Sequence, residues 1–392
     1  MSGEKIYEGV FAVHKPQDVT SADVIRKLQN HFNPSELFRP WLETERARRK
    51  RESNFQRKRR RTQRLDVKIG HGGTLDPLAT GVLVTGVGKG TKFLNDFLGC
   101  TKTYEAVVIF GAETDSYDQR GKIVRRGPYE HITRNAVEKA LEQFRGKIMQ
   151  RPPIFSALKV QGKKLYEYAR EGKEPPIEIQ SRSVEVSDLR IVEWYEPGTH
   201  EYKWPEEEAP ADEKAVADKL LAKDDSLPIA PAAYDADASS KRKSPLVEGS
   251  KGDETEAEPT VKKQKVSDEG GAAPAPSEQT SAPEAAEETP TETQAETSEQ
   301  SKSEPQPPAV KITMTVSSGF YVRSLAHDLG KALGSCGLMS ALVRSRQADF
   351  NLEPNRILEY KDLDAGEEVW GPKVQRFLEE WEKKRADQEG SK

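Results

Sequence analysis

Apolar and polar positions alternate or recur with two distinct periods along this chain. Val10, Phe11, Ala12 and Val13 form a short apolar run that Lys15-Pro16 ends, and Thr20 or Ser21 then caps a helix with Ala22, Ile25, Leu28 and Phe32 on one face. An apolar run from Val82 to Val87 predicts a strand, Thr91 to Leu98 a helix, and Thr103 to Phe110 another strand. Thr133 caps a helix through Phe144, on which Val137, Ala140, Leu141 and Phe144 share a face. Ser183 to Ile191 alternates as a strand, as does Lys311 to Val316, and Phe320 to Leu333 reads as a helix. Beyond Phe350 the pattern offers one amphipathic helix, Val374 to Lys384, and a charged tail. Strands and helices mixed in this way predict an α+β fold.

Between these elements lie two stretches with neither period. From Glu201 to Val310 there are 26 acidic and 12 basic residues, 13 of the chain's 25 prolines and only three aromatics, Tyr202, Trp204 and Tyr234. Such a segment lacks the apolar surface needed to offset the entropy of ordering it, so residues 201–310 are expected to be a disordered, acidic, Pro-rich insertion. Trp41 to Leu65 carries eleven Lys/Arg against three Asp/Glu, including Arg57-Lys-Arg-Arg-Arg61; residues 33–66 read as a second, basic insertion, solvated and partly helical on the plain reading and a nucleic-acid contact or nuclear-import signal on the sharper ones, and disorder in the free protein is expected. A strand that resumes after the acidic stretch points to one domain split by a loop. Residues 1–200 and 311–350 are thus the two parts of that domain, and 351–392 a helical extension and tail.

Charge sharpens the picture. The whole chain carries a net charge of -4, and removing the -14 of the acidic insertion leaves +10 on the other 282 residues, the balance expected for a polyanionic partner. Two cysteines, Cys100 and Cys336, exclude a disulfide framework, and the six scattered histidines show no metal-ligand spacing, so no metal and no cofactor are expected. No apolar run is long enough for a membrane span, and no membrane association is expected. Lys241-Arg-Lys243 and Lys262-Lys-Gln-Lys265 read as import signals; the nucleus is the expected location, with the mitochondrion and cytoplasm left open.

The least ordinary local sequence is Gly70-His-Gly-Gly-Thr-Leu-Asp-Pro-Leu-Ala-Thr-Gly81. It has neither the spacing of a phosphate-binding P-loop nor that of a dinucleotide fingerprint, and leaves Asp76 as a carboxylate on a turn, backed by a strand. A lone Asp before Pro ordinarily caps a turn. A carboxylate is also a competent nucleophile, ionised at neutral pH without tuning.

With Val82-Leu83 this segment resembles the catalytic motif of TruB-type pseudouridine synthases. Further matches follow in the family's order: Val13-His-Lys-Pro16, Lys102-Thr-Tyr-Glu105, Gly111-Ala-Glu-Thr-Asp115, Arg151-Pro-Pro-Ile-Phe-Ser-Ala-Leu-Lys159 and Gly319-Phe-Tyr-Val-Arg-Ser-Leu325. The resemblance implies the pseudouridine synthase catalytic fold, a mixed and largely antiparallel sheet with flanking helices. It implies Asp76 as the catalytic carboxylate, Tyr104 as the platform for the target base, and Arg323 as the partner of Asp76. Tyr321 and Leu342 would line the same pocket, His71 would help to hold the flipped nucleotide, and Lys15 and Pro16 would support the site.

The implied reaction is conversion of uridine to pseudouridine at position 55 in the tRNA T-loop; addition to C6, attack at C1′ and assisted loss of a ribose proton all remain open as routes. The short charged segment after Phe350 leaves no room for the PUA domain of guide-RNA-dependent, dyskerin-type relatives, so the expected partner is the tRNA T-arm without guide RNA, and the expected state a monomer. The two insertions are foreign to compact bacterial members and look eukaryotic, similar to fungal ones. A non-catalytic RNA-binding or tRNA-folding protein on the same scaffold is the alternative.

Overall fold

The structure, a computed structural model, describes residues 4–60, 64–153, 158–170, 176, 179–211, 214, 228–229 and 306–390. Strand β1 (Gly9–Lys15) leads into α1 (Ser21–Phe32), α2 (Arg39–Lys50) and α3 (Asn54–Arg60), then β2 (Ile69–His71), β3 (Thr80–Val87), α4 (Leu94–Gly99) and β4 (Lys102–Phe110). A hairpin of β5 (Ala112–Thr114) and β6 (Ile123–Arg126) precedes α5 (Arg134–Leu141), β7 (Gly146–Gln150), the short pair β8 (Lys159–Val160) and β9 (Lys163–Lys164), α6 (Leu165–Arg170) and β10 (Arg182–Tyr195). After the insertion come β11 (Ala309–Val316), α7 (Val322–Ala332), β12 (Gly337–Gln347), β13 (Phe350–Asn351), β14 (Leu358–Glu359) and α8 (Glu367–Gly390).

Ten strands form one sheet in the order β14-β1-β3-β12-β4-β11-β10-β7, with β2 added to β3 and β13 to β12. All its pairings are antiparallel except β1 with β14 and β3 with β12, which makes the sheet mixed and largely antiparallel. The two strands that flank the acidic insertion are neighbours: Tyr195 of β10 pairs with Ala309 of β11, so the long loop is closed by a ladder.

Alternation along β4 separates two packed layers. Tyr104, Ala106, Val108 and Phe110 face Val137 and Leu141 of α5 and Leu325 and Leu329 of α7, whereas Val107 and Ile109 face the other side with Leu338 and Ala309. A further core joins Phe11, Val13, Leu83 and Val87 to Val24, Leu28 and Phe32 of α1. Thr20 caps α1 through a reciprocal capping box with Asp23, which fixes where the chain turns out of β1.

Three expectations are corrected. The basic insertion is not structureless, because α2 and α3 form within it. Phe38, Trp41 and Leu42 fall at helical spacing, Phe38 stacks on Phe32 with centroids 4.4 Å apart, and the Trp41 indole donates to Glu8 at 2.9 Å. Glu45 accepts from Arg48 at 2.6 Å and from Arg49 at 3.1 Å, which offsets part of the like-charge repulsion on α2.

Residues 351–390 are packed into the fold rather than extending from it. β14 extends the sheet beside β1, and Trp370, Val374, Phe377 and Leu378 of α8 complete the Phe11–Phe32 core, with the Trp370 and Phe32 rings 4.9 Å apart. The acidic insertion also begins later than expected. The Trp204 indole donates to the Phe110 carbonyl at 2.8 Å, and Ile123 exchanges backbone hydrogen bonds of 2.9 Å with Glu207 and Ala209, which sets order through about Ala209. Residues 235–303, with both import signals, lie outside the described residues, as do Arg61 and Ile154 to Ala157.

Candidate active site

β1 stops at Lys15 because Pro16 has no amide hydrogen to continue the ladder. The following turn docks on the Gly-rich segment between β2 and β3. Asp18 N–H donates to the Pro77 carbonyl at 2.8 Å, and the Ser21 hydroxyl bridges Leu75, accepting from its N–H at 2.9 Å and donating to its carbonyl at 3.1 Å. Gly72 N–H donates to the Val84 carbonyl at 2.8 Å and Ala79 N–H to the Asp76 carbonyl at 3.1 Å, so Asp76 sits at the tip of a closed turn.

Across from that tip, the first turn of α7 supplies Arg323. Its Nε lies 2.9 Å from Asp76 Oδ2 and its Nη2 donates to Asp76 Oδ1 at 3.3 Å, while Nη1 donates to the Ser116 carbonyl at 3.0 Å. Arg323 is 8% exposed and Asp76 34%, so the cation is fixed inside and the carboxylate faces outward. A two-point contact of this kind fixes orientation as well as charge. Asp118 stands behind, its Oδ2 3.7 Å from Arg323 Nε and its Oδ1 accepting from the Ser116 hydroxyl at 2.8 Å and Arg120 N–H at 3.0 Å. Burial pushes the Asp118 carboxyl above its usual range, and Arg323 is the main opposing influence.

Lys15 is fully buried and donates to the carbonyls of Pro16 at 2.8 Å and Pro77 at 3.3 Å, which ties the β1 turn to the Asp76 turn. Burial lowers its pKa from 10.5 to about 8 against the pull of Asp76. Between those two values the unfolded chain keeps a proton that the folded chain has shed, so this group makes stability rise with pH there and costs stability below about 8. Lys15→Met is therefore expected to flatten the rise in unfolding free energy between about pH 8 and 10.5, by roughly 3 kcal/mol at most. Denaturant titrations of both proteins across that range check it; parallel curves would place the lysine outside the titration.

Of the other expected residues, Tyr104 and Leu342 share a core cluster with the residues that flank Asp76. Tyr104, 8% exposed, packs with Leu75 and Leu78 on either side of Asp76, with Leu342 of β12 and with Val322 of α7; among the described residues its hydroxyl has no hydrogen-bond partner. Tyr321 caps α7, its backbone N–H and carbonyl held by the Gln150 side chain at 2.8 and 2.9 Å and its ring under the Arg182 guanidinium at 4.5 Å. Pro16 is half-buried and offers Lys15 its carbonyl. His71 ends β2 opposite Thr85, and among the described residues its buried Nδ1 has no hydrogen-bond partner. Burial first and the Arg344 charge second hold its imidazole below the ordinary value.

Asp118, Gln150, Arg344 and Gln347 were not singled out in the sequence. Asp118 lies three residues beyond the Gly111–Asp115 motif, a signal that extending the motif would have caught; the others act on backbone groups far along the chain. Among the described residues no group of three or more His, Cys, Asp or Glu is placed to hold a metal ion, and no helix is long and apolar enough to cross a membrane.

A carboxylate is presented on a Gly-rich turn and held by a buried arginine, beside Tyr104 and Leu342. Residues 58–204 match the N-terminal domain of the TruB family pseudouridylate synthases. The chain is 37% identical over 378 residues to tRNA pseudouridine synthase 4 of Schizosaccharomyces pombe, covering 91% of this chain and 83% of that protein. It is 32% identical to tRNA pseudouridine synthase 4 of Saccharomyces cerevisiae, over 95% of this chain and 85% of that one. Pseudouridylate synthase TRUB1 of Mus musculus is 38% identical over 190 residues, 48% of this chain and 51% of that protein.

The chain therefore belongs to the TruB family of pseudouridylate synthases. Among solved structures, the archaeal box H/ACA sRNP Nop10-Cbf5 complex superposes with a TM-score of 0.43 at 14% identity, over 95% of this chain and 59% of that one, too loosely for comparison residue by residue.

Proposed function

We propose that this chain isomerises uridine to pseudouridine at position 55 in the T-loop of tRNA, as a monomer and without a guide RNA. The observation that carries the reading is the two-point pair of Asp76 with buried Arg323, on the family's own motif and beside an aromatic and apolar pocket. The reaction breaks the bond from N1 to C1′ and joins C5 to C1′, with a proton gained at N1 and lost from C5, so no redox partner is needed. Addition to C6, attack at C1′ and abstraction of a ribose proton share one requirement, an ionised carboxylate within reach of base and sugar. The two-point contact with Arg323 fixes its direction.

Taking the uridine out of its stack costs a few kcal/mol, and an aromatic platform such as Tyr104 can offset part of it. T-loop RNA tritiated at uridine C5 tests the proposal: free tRNA alone should release tritium. Release only in the presence of a guide RNA would assign the chain to the dyskerin-type class, and binding without release would make it a non-catalytic RNA-binding protein.

The exposed basic helix α3 adds an expectation on affinity. Replacing Arg57, Lys58, Arg59, Arg60 and Arg61 by Ala should weaken all tRNAs by a similar factor and flatten log K against log salt by up to roughly 0.7 per lost contact, without moving the modified uridine. Binding isotherms at several salt concentrations decide this. An unchanged slope would show that the segment does not touch RNA.

A further inference from the structure

Arg344 of β12 is 1% exposed, and among the described residues none of its hydrogen bonds goes to a carboxylate. Its Nε donates to the Val82 carbonyl at 2.7 Å, Nη2 to the Gly73 carbonyl at 3.1 Å and Nη1 to the Thr74 carbonyl at 3.4 Å. The Gln347 amide, also fully buried, donates to the Gly72 carbonyl at 2.5 Å and the Phe97 carbonyl at 2.9 Å. Three successive carbonyls, those of residues 72, 73 and 74, are thus held by two side chains of one strand, just before the residue that carries the carboxylate.

In a regular strand residues three apart point to opposite faces. Here the register against β4 shifts between Arg344 and Arg346, so Ser345 is an extra residue, and the bulge turns Gln347 to the same side as Arg344. Close approach is secured by glycine. Gly81 pairs with Arg344 and has φ +108, and a Cβ there would lie 2.3 Å from the Arg344 carbonyl oxygen. A buried guanidinium is costly to maintain without a carboxylate, and this one directs its donors at the backbone on either side of Asp76.

We propose that Arg344, with Gln347, is a positioning residue for Asp76: together they fix the backbone of residues 72–74 and so the direction in which the turn presents the carboxylate to Arg323 and the pocket. The turnover half of this inference rests on the pseudouridine reading, and the backbone half does not. Arg344→Lys keeps the charge but cannot reach three carbonyls at once, and Gln347→Leu removes the bonds to Gly72 and Phe97 while leaving those to Gly73 and Thr74.

Amide hydrogen exchange across residues 72–79, which needs no substrate, should quicken by at least about tenfold in both variants while the cooperative melt persists. Single-turnover rates on tRNA should fall by roughly tenfold to a hundredfold, the range that a displacement of about 1 Å can produce, with tRNA affinity within about threefold of wild type. Arg344→Ala should regain part of its rate with added methylguanidinium. Unchanged exchange in both variants, a full rate in Arg344→Lys, or affinity falling in step with rate would each overturn the proposal. A wild-type enzyme silent on tRNA would instead overturn the pseudouridine reading, and exchange would still decide what Arg344 holds.

Discussion

Asp76→Asn is expected to remove turnover, by at least about a thousandfold, while tRNA affinity stays within about threefold of wild type. The amide has the shape of the carboxylate, and its oxygen can still accept from Arg323 Nη2, whose present distance to Asp76 Oδ1 is 3.3 Å. What it loses is the negative charge and the nucleophilic or basic oxygen that all three chemical routes require. The turn itself is closed by Gly72, Ser21, Lys15, Arg344 and Gln347, none of which bonds to the Asp76 side chain, so the backbone should hold its place. Rate and affinity must be measured separately, by tritium release under single-turnover conditions and by filter binding. Retention of more than about a hundredth of the wild-type rate would take Asp76 out of its catalytic role.

The pattern of residues carried most of the strands and helices further than it carried β12. β1, β4, β10 and β11 read as apolar runs or alternations, and the pairing of β10 with β11 could be argued from the insertion between them. β12 was not legible. It lies between β3 and β4, covered on both faces, and register shifts around Ser340 and Ser345 break its period twice.

Leu342 was found on that strand by resemblance, but Arg344 and Gln347 were not, because their acceptors are carbonyl oxygens at least 250 residues earlier, and no side-chain chemistry in the sequence records them. The helix α2 was hidden for a different reason. Eleven basic residues dominated the composition of the segment, whereas three apolar ones, Phe38, Trp41 and Leu42, and the carboxylate of Glu45 decide its structure.

Arg323→Met should cost both activity and stability, and the pH dependence of the stability loss separates charge from packing. The guanidinium faces Asp76 and the buried Asp118 together, and removing it leaves Asp118 without its main compensating charge; breaking a buried pair in this way costs about 3 to 5 kcal/mol. Asp118 is already raised above 3.8 by burial, and loss of Arg323 should raise it further. A carboxyl raised in the folded state binds a proton that the unfolded chain has released, so stability contributed by that group falls as pH rises through the interval between the two values. In the variant this interval extends upward. The deficit relative to wild type should therefore be largest near neutral pH and shrink as the solution is made acidic, because a protonated Asp118 no longer needs a counter-charge. Arg323→Lys, which restores the charge without the two-point geometry, should recover much of the stability and little of the rate. Urea titrations at about pH 5 and about pH 7.5 compare the two conditions. A deficit of equal size at both would mean that the methionine lost packing rather than charge, and would remove Asp118 from the electrostatic frame of the site.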